Sequence, residues 1–329
     1  MIPNTDLKAN IDELLVKRQY DPQYIPHKEN IVFTIQQKHV GSLENFITLS
    51  GLPKAGKSTF VAAAIASAFI HSEIFTMKIH LPADRQKLCY FDTESSSYDF
   101  YRQINKIKYF SELAELPSNF NAYQVREDSS SSIRKMIERY LELNTDCSVI
   151  IVDGLLDLLV NYNDEKESSL LTKWLKKITK VFNVLFITVL HQSKSNLSTT
   201  GHIGSASDRF AQSTLDIVKN KEKNCYTLAS RFMRSDGDFE PISIMSFNGN
   251  FQQIESDPVK KGNKASDLSD IDSKSICYQV LMSNLTYNDL LDEIIERTAN
   301  NKTYAKNLIK IWIKKEWIYK DHNNKYVRK

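Results

Sequence analysis

The chain contains 329 residues with a formal net charge of +3, and 41% of its residues are hydrophobic and 25% charged. This composition is ordinary for soluble globular proteins, and the length suffices for one large domain and one small domain. The sequence has no apolar run of about 18 residues and no basic start followed by an apolar core, which argues against membrane-spanning and secretory classes and predicts a soluble, cytoplasmic protein without a membrane partner.

Residues 1–29 are interpreted as a lead-in to the main domain. Residues 7–18 favour a short helix, and Pro22 and Pro26 lie in the segment that ends it. The apolar stretch 31–35 then predicts a strand.

The strongest motif is the stretch 51–58, GLPKAGKS, which fits the P-loop pattern Gly-x-x-x-x-Gly-Lys-[Ser/Thr]. In such a loop the backbone N–H groups point at phosphate oxygens, Lys57 can reach the β and γ phosphates, and Ser58 can ligate Mg²⁺. A strand over 46–50 and a helical run over 57–71 flank it, which disfavours a chance match in a surface loop. The residues predicted to hold a nucleoside triphosphate are Gly51, Pro53, Lys54, Ala55, Gly56, Lys57, Ser58 and Thr59.

Apolar strand patterns alternate with helical patterns from residue 30 to 255. The predicted strands are 46–50, 87–92, 148–153 and 184–190, the predicted helices are 57–71, 132–143 and 168–181, and further edge strands are predicted at 214–219, 225–231 and 242–247. This alternation predicts an α/β domain over 30–255, with a mostly parallel central sheet flanked by helices on both faces. The four cysteines, Cys89, Cys147, Cys225 and Cys277, have no metal-ligand spacing and are predicted to be buried thiols.

Two predicted strands end in carboxylates. Asp153 ends an apolar strand and is predicted to hold Mg²⁺ through a bound water, unless it is an ordinary strand-end acid. Glu94 follows the strand 87–92 and could orient and deprotonate an attacking water. Asp92 competes with Glu94 for that role, and simple solvation of the strand end is the remaining alternative.

The C-terminal part of the chain predicts a separate basic module. Residues 256–272 are polar and contain Pro and Gly, which indicates a linker. Three helical stretches at 274–283, 286–297 and 302–316, followed by a hairpin, predict a winged helix-turn-helix domain over 273–329.

Nine basic and two acidic side chains give residues 301–329 a net charge of +7, which points to a polyanion, with nucleic acid the first candidate. The third helix of this module carries lysines four residues apart, and this face is predicted to bind DNA phosphates. The stripe consists of Lys302, Lys306, Lys310 and Lys314. Because winged helices also bind proteins, a solvated lysine face beside a protein partner remains the alternative.

The order of GLPKAGKS, YFDTE, VIIVDG and LFITVLHQSK resembles the ATPase core of the RecA-like P-loop NTPase superfamily, and most closely its RepA-like branch of plasmid and mobile-element helicases. The resemblance covers about residues 30–250. It implies ATP and Mg²⁺ as cofactors, Glu94 as the catalytic base, and His191 or Gln192 as the side chain that senses the γ phosphate. The His-Gln doublet leaves the choice between them open, and His191 could also merely cap a strand.

The same resemblance places a DNA-contacting loop after this strand. The polar stretch 193–205 occupies that position, and Lys194 and His202 are its candidates for phosphate contact, with a plain surface loop as the alternative. The resemblance also implies arginines that reach a neighbour's nucleotide, which transfers to Arg231 and Arg234. Their Arg-x-x-Arg spacing departs from the Lys-x-Arg usual in hexameric helicases, so a salt-bridged surface arginine stays open.

Tyr98, Tyr101 and Arg102 are candidates for stacking on adenine, with a place in the core as the alternative for the aromatic side chains.

The overall expectation is a Mg²⁺-dependent ATPase and ring-forming DNA helicase, with a homo-oligomer such as a hexamer and a primase, relaxase or initiator as partners. A different class also fits the sequence: an initiator or regulator whose DNA binding is switched by ATP without translocation.

Overall fold

The computed structural model describes residues 4–25, 29–192, 201–220, 222–247, 250–256, 268–298 and 302–329, with the backbone alone for 4–10 and 201. The chain divides into two compact units, Met1–Asp257 and Pro258–Lys329. Among the described residues, no helix combines the length and the apolar character needed to cross a membrane.

The first unit contains most of the regular structure. Its described helices are α1 (Asn4–Arg18), α2 (Lys57–Ser67), α3 (Ser97–Ser111), α4 (Ser130–Leu143), α5 (Glu165–Phe182) and α6 (Gly201–Phe210), with a 3-10 turn at Leu155–Leu158. Its described strands are β1 (Ile31–Ile35), β2 (Lys38–Ser42), β3 (Phe46–Gly51), β4 (Met77–Ile79), β5 (Lys87–Asp92), β6 (Phe120–Gln124), β7 (Cys147–Asp153), β8 (Leu185–His191), β9 (Ser213–Asn220), β10 (Cys225–Met233), β11 (Ile242–Phe247) and β12 (Asn250–Ile254).

A mixed sheet forms the centre of this unit, and within the described residues it has nine strands in the order β12-β11-β10-β9-β3-β8-β7-β5-β6. The six strands from β9 to β6 are parallel to their neighbours. The strands β10, β11 and β12 continue the sheet in antiparallel pairing. The predicted α/β class, with a mostly parallel sheet and extra strands at one edge, is therefore confirmed.

Helices cover both faces of the sheet because its central strands are apolar on both sides. In β7, Val149 and Ile151 join one core cluster and Ile150 and Val152 join the other. The first cluster includes α2 and the second includes α4 and α5. Since successive side chains on a strand point to opposite faces, an uninterrupted apolar strand must be buried on both.

A small antiparallel sheet in the order β2-β1-β4 packs into the same cluster as α2. Helix α2 ends at Ser67 rather than at residue 71 as predicted, and this small sheet contacts its end. Lys78 of β4 donates its ammonium to the carbonyls of Ser67, at 2.8 Å, and of Ile70. A cation at the end of a helix stabilises carbonyls that have no partner within the helix.

The second unit contains α7 (Asp270–Val280), α8 (Tyr287–Thr298) and α9 (Lys302–Lys314), followed by the antiparallel hairpin β13 (Ile318–Lys320) and β14 (Tyr326–Arg328). Its own apolar cluster surrounds Trp312, whose indole N–H donates to Ser273 Oγ at 3.0 Å. These three helices and the hairpin follow the order expected from the sequence, and α9 buries one face while its lysine stripe stays exposed. All four cysteines of the chain are buried and free, as predicted.

Candidate functional site

The predicted nucleotide-binding residues lie together at the carboxyl ends of neighbouring parallel strands. Strand β8 lies between the P-loop strand β3 and the Asp153 strand β7, and β5 follows β7. Ligands of open α/β sheets bind outside this edge, where loops and helix N-termini face the same space. The arrangement brings Lys57, Glu94, Asp153 and His191 into one site.

The two P-loop glycines are required by close contacts. Gly56 has φ of 90°, and a Cβ on it would lie 2.6 Å from Cδ1 of Tyr226. A Cβ on Gly51 would lie 2.5 Å from the carbonyl oxygen of Ile217. The left-handed backbone disfavours a side chain at Gly56, and the close contacts disfavour one at both positions, so the loop conformation depends on glycine at each.

Lys57 is buried under the loop, and its ammonium is held by backbone and side-chain groups. It donates to the carbonyl oxygens of Gly51 at 3.1 Å and Leu52 at 3.0 Å, and lies 3.1 Å from His191 Nδ1. Burial lowers the pKa of Lys57, and the charges of Asp153 and Glu94 oppose that effect. The ammonium thus lies at the P-loop, bonded to the loop's own carbonyl groups.

His191 joins Lys57 to Glu94. Its Nε2 lies 2.9 Å and 3.1 Å from the two carboxylate oxygens of Glu94. Burial alone would raise the pKa of Glu94, but the hydrogen bond and charge of His191, together with Lys57, hold that pKa below its ordinary value. Glu94 is therefore ionised at neutral pH, as a general base must be.

Gln192 faces β9 instead of Lys57 and Glu94, and it lines a second cavity together with P-loop residues 52–55. Its amide donates to Ser50 Oγ at 3.2 Å and to Asp216 Oδ1 at 2.8 Å, and the side chain is buried. Of the doublet, His191 is the residue that the structure places beside Lys57 and Glu94.

Asp92 also has a different position from Glu94. Its Oδ1 accepts the backbone N–H groups of Glu94 at 3.1 Å and Ser95 at 2.8 Å, and its Oδ2 accepts the Tyr90 hydroxyl at 2.9 Å. The Asp92 carboxylate therefore shapes the turn that carries Glu94, and its hydrogen bonds leave Glu94 as the better candidate for the base.

Ser58 and Asp153 form the pair of oxygen ligands expected for Mg²⁺. Ser58 Oγ donates to Asp153 Oδ2 at 3.2 Å. Burial raises the pKa of Asp153 to about 7, and the charges of Asp92 and Glu94 add to this effect. Among the described residues, no cluster of three or more His, Cys, Asp or Glu side chains could hold a metal ion. One carboxylate and one hydroxyl fit Mg²⁺, which takes its other ligands from water and phosphates.

Helix α3, which sequence analysis did not predict, contributes side chains that the motifs do not reveal. Gln103 donates to the carbonyl of Ser58 at 2.7 Å, and the Lys106 ammonium lies 3.3 Å from Thr59 Oγ1. The signal for this helix was present in the sequence, because Ser96 caps its N-terminus by accepting the N–H of Asp99.

A cavity of about 630 Å³ opens between α3 and the strands β11 and β12, next to the P-loop helix. Its lining includes Ser58, Arg102, Lys106, Tyr109 and Phe251. Its volume is typical of small-molecule sites.

Tyr98 and Tyr101 do not line this cavity and are 70% and 61% exposed. The alternative that these tyrosines belong to the core is therefore wrong. Arg102, the third side chain of that group, does line the cavity.

Arg231 lies in β10 and Arg234 directly follows that strand, and the two side chains have different environments. Arg231 lies 3.1 Å from Asp208 and 3.6 Å from Asp216 of the same chain, and its side chain is only 22% exposed. Arg234 is exposed, and its guanidinium donates to the carbonyl of Arg209. Arg231 thus matches the salt-bridge alternative more closely than Arg234 does.

The predicted DNA contacts belong to the stretch 193–205 and to helix α9. Lys194 lies outside the described residues, and His202 is exposed in the first turn of α6. On α9, the stripe residues Lys302, Lys306, Lys310 and Lys314 are all exposed.

Comparison of the sequence with protein-family models finds no match, and comparison with curated proteins finds no similar sequence. The assignment of this site therefore depends on its motifs and its geometry.

Proposed function

We propose that the chain is a Mg²⁺-dependent ATPase with a RecA-like core of the RepA-like type, which acts on DNA as a ring-forming helicase. The observation that carries the proposal is the meeting of Lys57, Glu94 and His191 beside the Ser58–Asp153 pair. Transfer of a phosphoryl group to water needs three parts: a cation near the phosphates, a carboxylate near the attacking water, and oxygen ligands for Mg²⁺. Lys57, Glu94 and the Ser58–Asp153 pair would supply them.

In this proposal each side chain has a separate task. Lys57 leaves the carbonyls of Gly51 and Leu52 to bind phosphate oxygens, which are stronger acceptors for an ammonium. Glu94 accepts a proton from the attacking water, and His191 holds the Glu94 carboxylate in position. When bound, Mg²⁺ supplies charge that offsets the negative charge of the phosphates.

The cavity beside α3 is proposed as the place for the base and ribose of ATP. Ser58 lines the cavity and also belongs to the P-loop, so a nucleotide held by the loop can extend into it. Arg102 and Lys106 supply donors, and Tyr109 and Phe251 supply aromatic surface.

The DNA partner is proposed from the charge of the second unit. The four lysines of the α9 stripe form no ion pair with any described residue, whereas Lys315 pairs with Asp270 and Lys329 pairs with Glu316. Unpaired lysines on one exposed helix face are suited to phosphates, because binding there releases counterions. A winged-helix module over 273–329 is consistent with this placement.

The proposal is tested by measuring ATP hydrolysis with and without single-stranded DNA, and by unwinding of a forked duplex. We expect DNA to stimulate hydrolysis, the forked duplex to be unwound, and Lys57→Ala to abolish both activities. An absence of ATP hydrolysis by well-folded wild-type protein would overturn the ATPase assignment.

A second candidate function is an ATP-switched initiator or regulator that binds DNA without translocating. The exposed α9 stripe is the observation that favours it, since a basic third helix that follows two helices and precedes a hairpin suits duplex DNA. Tight, sequence-specific duplex binding with ATP hydrolysis but without unwinding would favour this candidate over the helicase.

A further inference from the structure

Helix α3 places a basic side chain, Lys106, between the P-loop helix α2 and the cavity beside α3. The Lys106 ammonium lies 3.3 Å from Thr59 Oγ1, and Thr59 directly follows Ser58 in the first turn of α2. The ammonium also lies 5.8 Å from the ring centre of Phe251 in β12, and Lys106 lines the cavity. The P-loop helix and the cavity therefore share this cation.

The Lys106 ammonium has few partners within the described part of the chain. It forms no ion pair there, and one neutral hydroxyl group accepts its hydrogen bond. Burial is the largest effect on its pKa and lowers it, the charge of Arg102 adds to the lowering, and the charge of Asp153 opposes it. An ammonium can donate three hydrogen bonds, and a half-buried cation without an anion is unfavourable. The surroundings of Lys106 thus suit an anionic ligand in the cavity.

The place of each cation along a bound triphosphate follows from the P-loop motif. The P-loop lysine reaches the β and γ phosphates, and Mg²⁺ bridges oxygens of the same two groups. In the proposed function Lys57 and the Ser58–Asp153 pair have these tasks, while the base and ribose occupy the cavity beside α3. The α phosphate joins the β phosphate to the ribose, so it lies between these two ends. None of these cations neutralises the α phosphate.

We propose that Lys106 binds the α phosphate of the nucleotide, so that the site retains the diphosphate product as well as the triphosphate substrate. The proposal rests on the proposed function, from which it takes the nucleotide site. Lys106 lies where the start of α2 meets the cavity, and the α phosphate must pass this point. A phosphate oxygen is a stronger acceptor for an ammonium than the hydroxyl of Thr59.

Gln103 holds helix α3 against the P-loop helix and so determines where Lys106 can reach. The buried side-chain amide of Gln103 donates to the carbonyl oxygen of Ser58 at 2.7 Å. Gln103 and Lys106 are three residues apart and therefore lie on the same face of α3. The face that bonds the start of α2 is thus the face that carries the ammonium to Thr59.

A cation at the α phosphate should contribute to binding and not to the chemical step. Hydrolysis breaks the bond between the β and γ phosphates, so the charge on the α phosphate changes little between substrate, transition state and diphosphate. An interaction of equal strength in the ground state and the transition state lowers KM and leaves kcat unchanged. Lys106 should therefore affect KM and ADP affinity, whereas Lys57 should also affect kcat.

The test measures equilibrium binding of ADP, GDP and CDP to the full chain by calorimetry, with Mg²⁺ present. We expect Lys106→Met to bind ADP at least about tenfold more weakly, since a hydrogen bond between two charged groups is lost. For GDP and CDP the factor should be the same, because all three share the α phosphate and differ in the base. In ATP hydrolysis the KM should rise by a similar factor, with little change in kcat.

The control is Lys108→Met, which removes a lysine of the same helix that pairs with Glu115 at 3.2 Å and lies outside the cavity lining. This variant should keep the wild-type affinity for ADP. Urea unfolding without nucleotide separates binding from folding. The free energy of unfolding of Lys106→Met should be unchanged or higher, because the variant removes a half-buried ammonium that lacks an anionic partner.

Wild-type ADP affinity in Lys106→Met would overturn the proposal, and so would an equal loss in Lys108→Met. A loss that differs strongly among ADP, GDP and CDP would assign Lys106 to the base and contradict a phosphate contact. A lower free energy of unfolding in Lys106→Met would indicate a structural contact with Thr59 instead.

The same assay separates this proposal from the proposed function. A wild-type chain that binds ADP but does not hydrolyse ATP would contradict the ATPase assignment, and the comparison of ADP affinities would still test Lys106. A wild-type chain that binds none of the three nucleotides would count against the nucleotide site itself. Equal binding by wild type and Lys106→Met would overturn only the role of Lys106.

Discussion

At the scale of single residues, His191 decides how Glu94 behaves. Because the hydrogen bond and charge of His191 lower the pKa of Glu94, His191→Ala should raise that pKa. A base must be deprotonated to act, so the acid limb of the kcat/KM profile for ATP hydrolysis should move to higher pH, with a loss of at least about tenfold at neutral pH. Gln192→Ala is the matched control, since Gln192 faces Asp216 instead. An acid limb at its wild-type pH in His191→Ala would contradict this role.

Asp153 illustrates a conflict between function and stability. Its pKa of about 7 lies above that of an unfolded aspartate, so the folded chain holds an extra proton between about pH 4 and 7, and stability decreases as the pH rises through this range. In metal-free buffer at pH 8, we expect Asp153→Asn to raise the free energy of unfolding by about 2 kcal/mol while abolishing ATP hydrolysis. Urea unfolding with a chelator present measures the first effect. Equal stabilisation at pH 4 would contradict the explanation, because the wild-type carboxyl is protonated there.

At the scale of elements, the P-loop packs against β10, where Gly56 lies next to the ring of Tyr226. Gly56→Ala should lower the free energy of unfolding by about 2 kcal/mol, because the φ of 90° is strained for alanine and the new methyl group meets Tyr226. Gly56→Ala/Tyr226→Ala should show a smaller loss than the sum of the two single variants, since only the steric part is relieved. Additive losses in urea unfolding would mean that β10 does not constrain the loop.

At the scale of the whole molecule, substitutions of Arg231 and Arg234 should have different effects. One should lower stability, and the other should affect only the activity that depends on assembly. Arg231→Ala should lower the free energy of unfolding by about 2 kcal/mol, because it leaves Asp208 and Asp216 without their shared cation. Arg234→Ala should leave stability unchanged, since Arg234 is exposed and forms no ion pair with another described residue.

If the active form is a ring with shared sites, Arg234→Ala subunits mixed with Glu94→Gln subunits should recover some ATP hydrolysis, because mixed interfaces contain both intact residues. Each variant alone serves as the control. No recovery in the mixture, in samples shown to exchange subunits, would contradict an arginine that acts on a neighbour's nucleotide.

Much of the sheet was predictable from local pattern. The strands that contain residues 46–50, 87–92, 148–153 and 184–190 are apolar runs bounded by polar residues, and such runs are buried wherever the sheet forms. Strand β6 (FNAYQ) was missed because it lies at the sheet edge, where partial exposure removes the apolar signal. Helix α3 was not predicted, although Ser96 is a residue type that commonly caps a helix N-terminus.

The sequence by itself determined the P-loop, the carboxylates that end β5 and β7, and the alternation that predicts a mostly parallel sheet, because these depend on residue type and spacing along one segment. Only the tertiary structure shows that His191 and not Gln192 lies beside Lys57 and Glu94. It also shows that Asp92 bonds the turn that carries Glu94, and that Tyr98 and Tyr101 lie at the surface. Neighbouring residues at a strand end point in opposite directions. Which direction faces Lys57 and Glu94 depends on the strand order and on the loops at that edge, and these come from contacts between segments far apart in the chain.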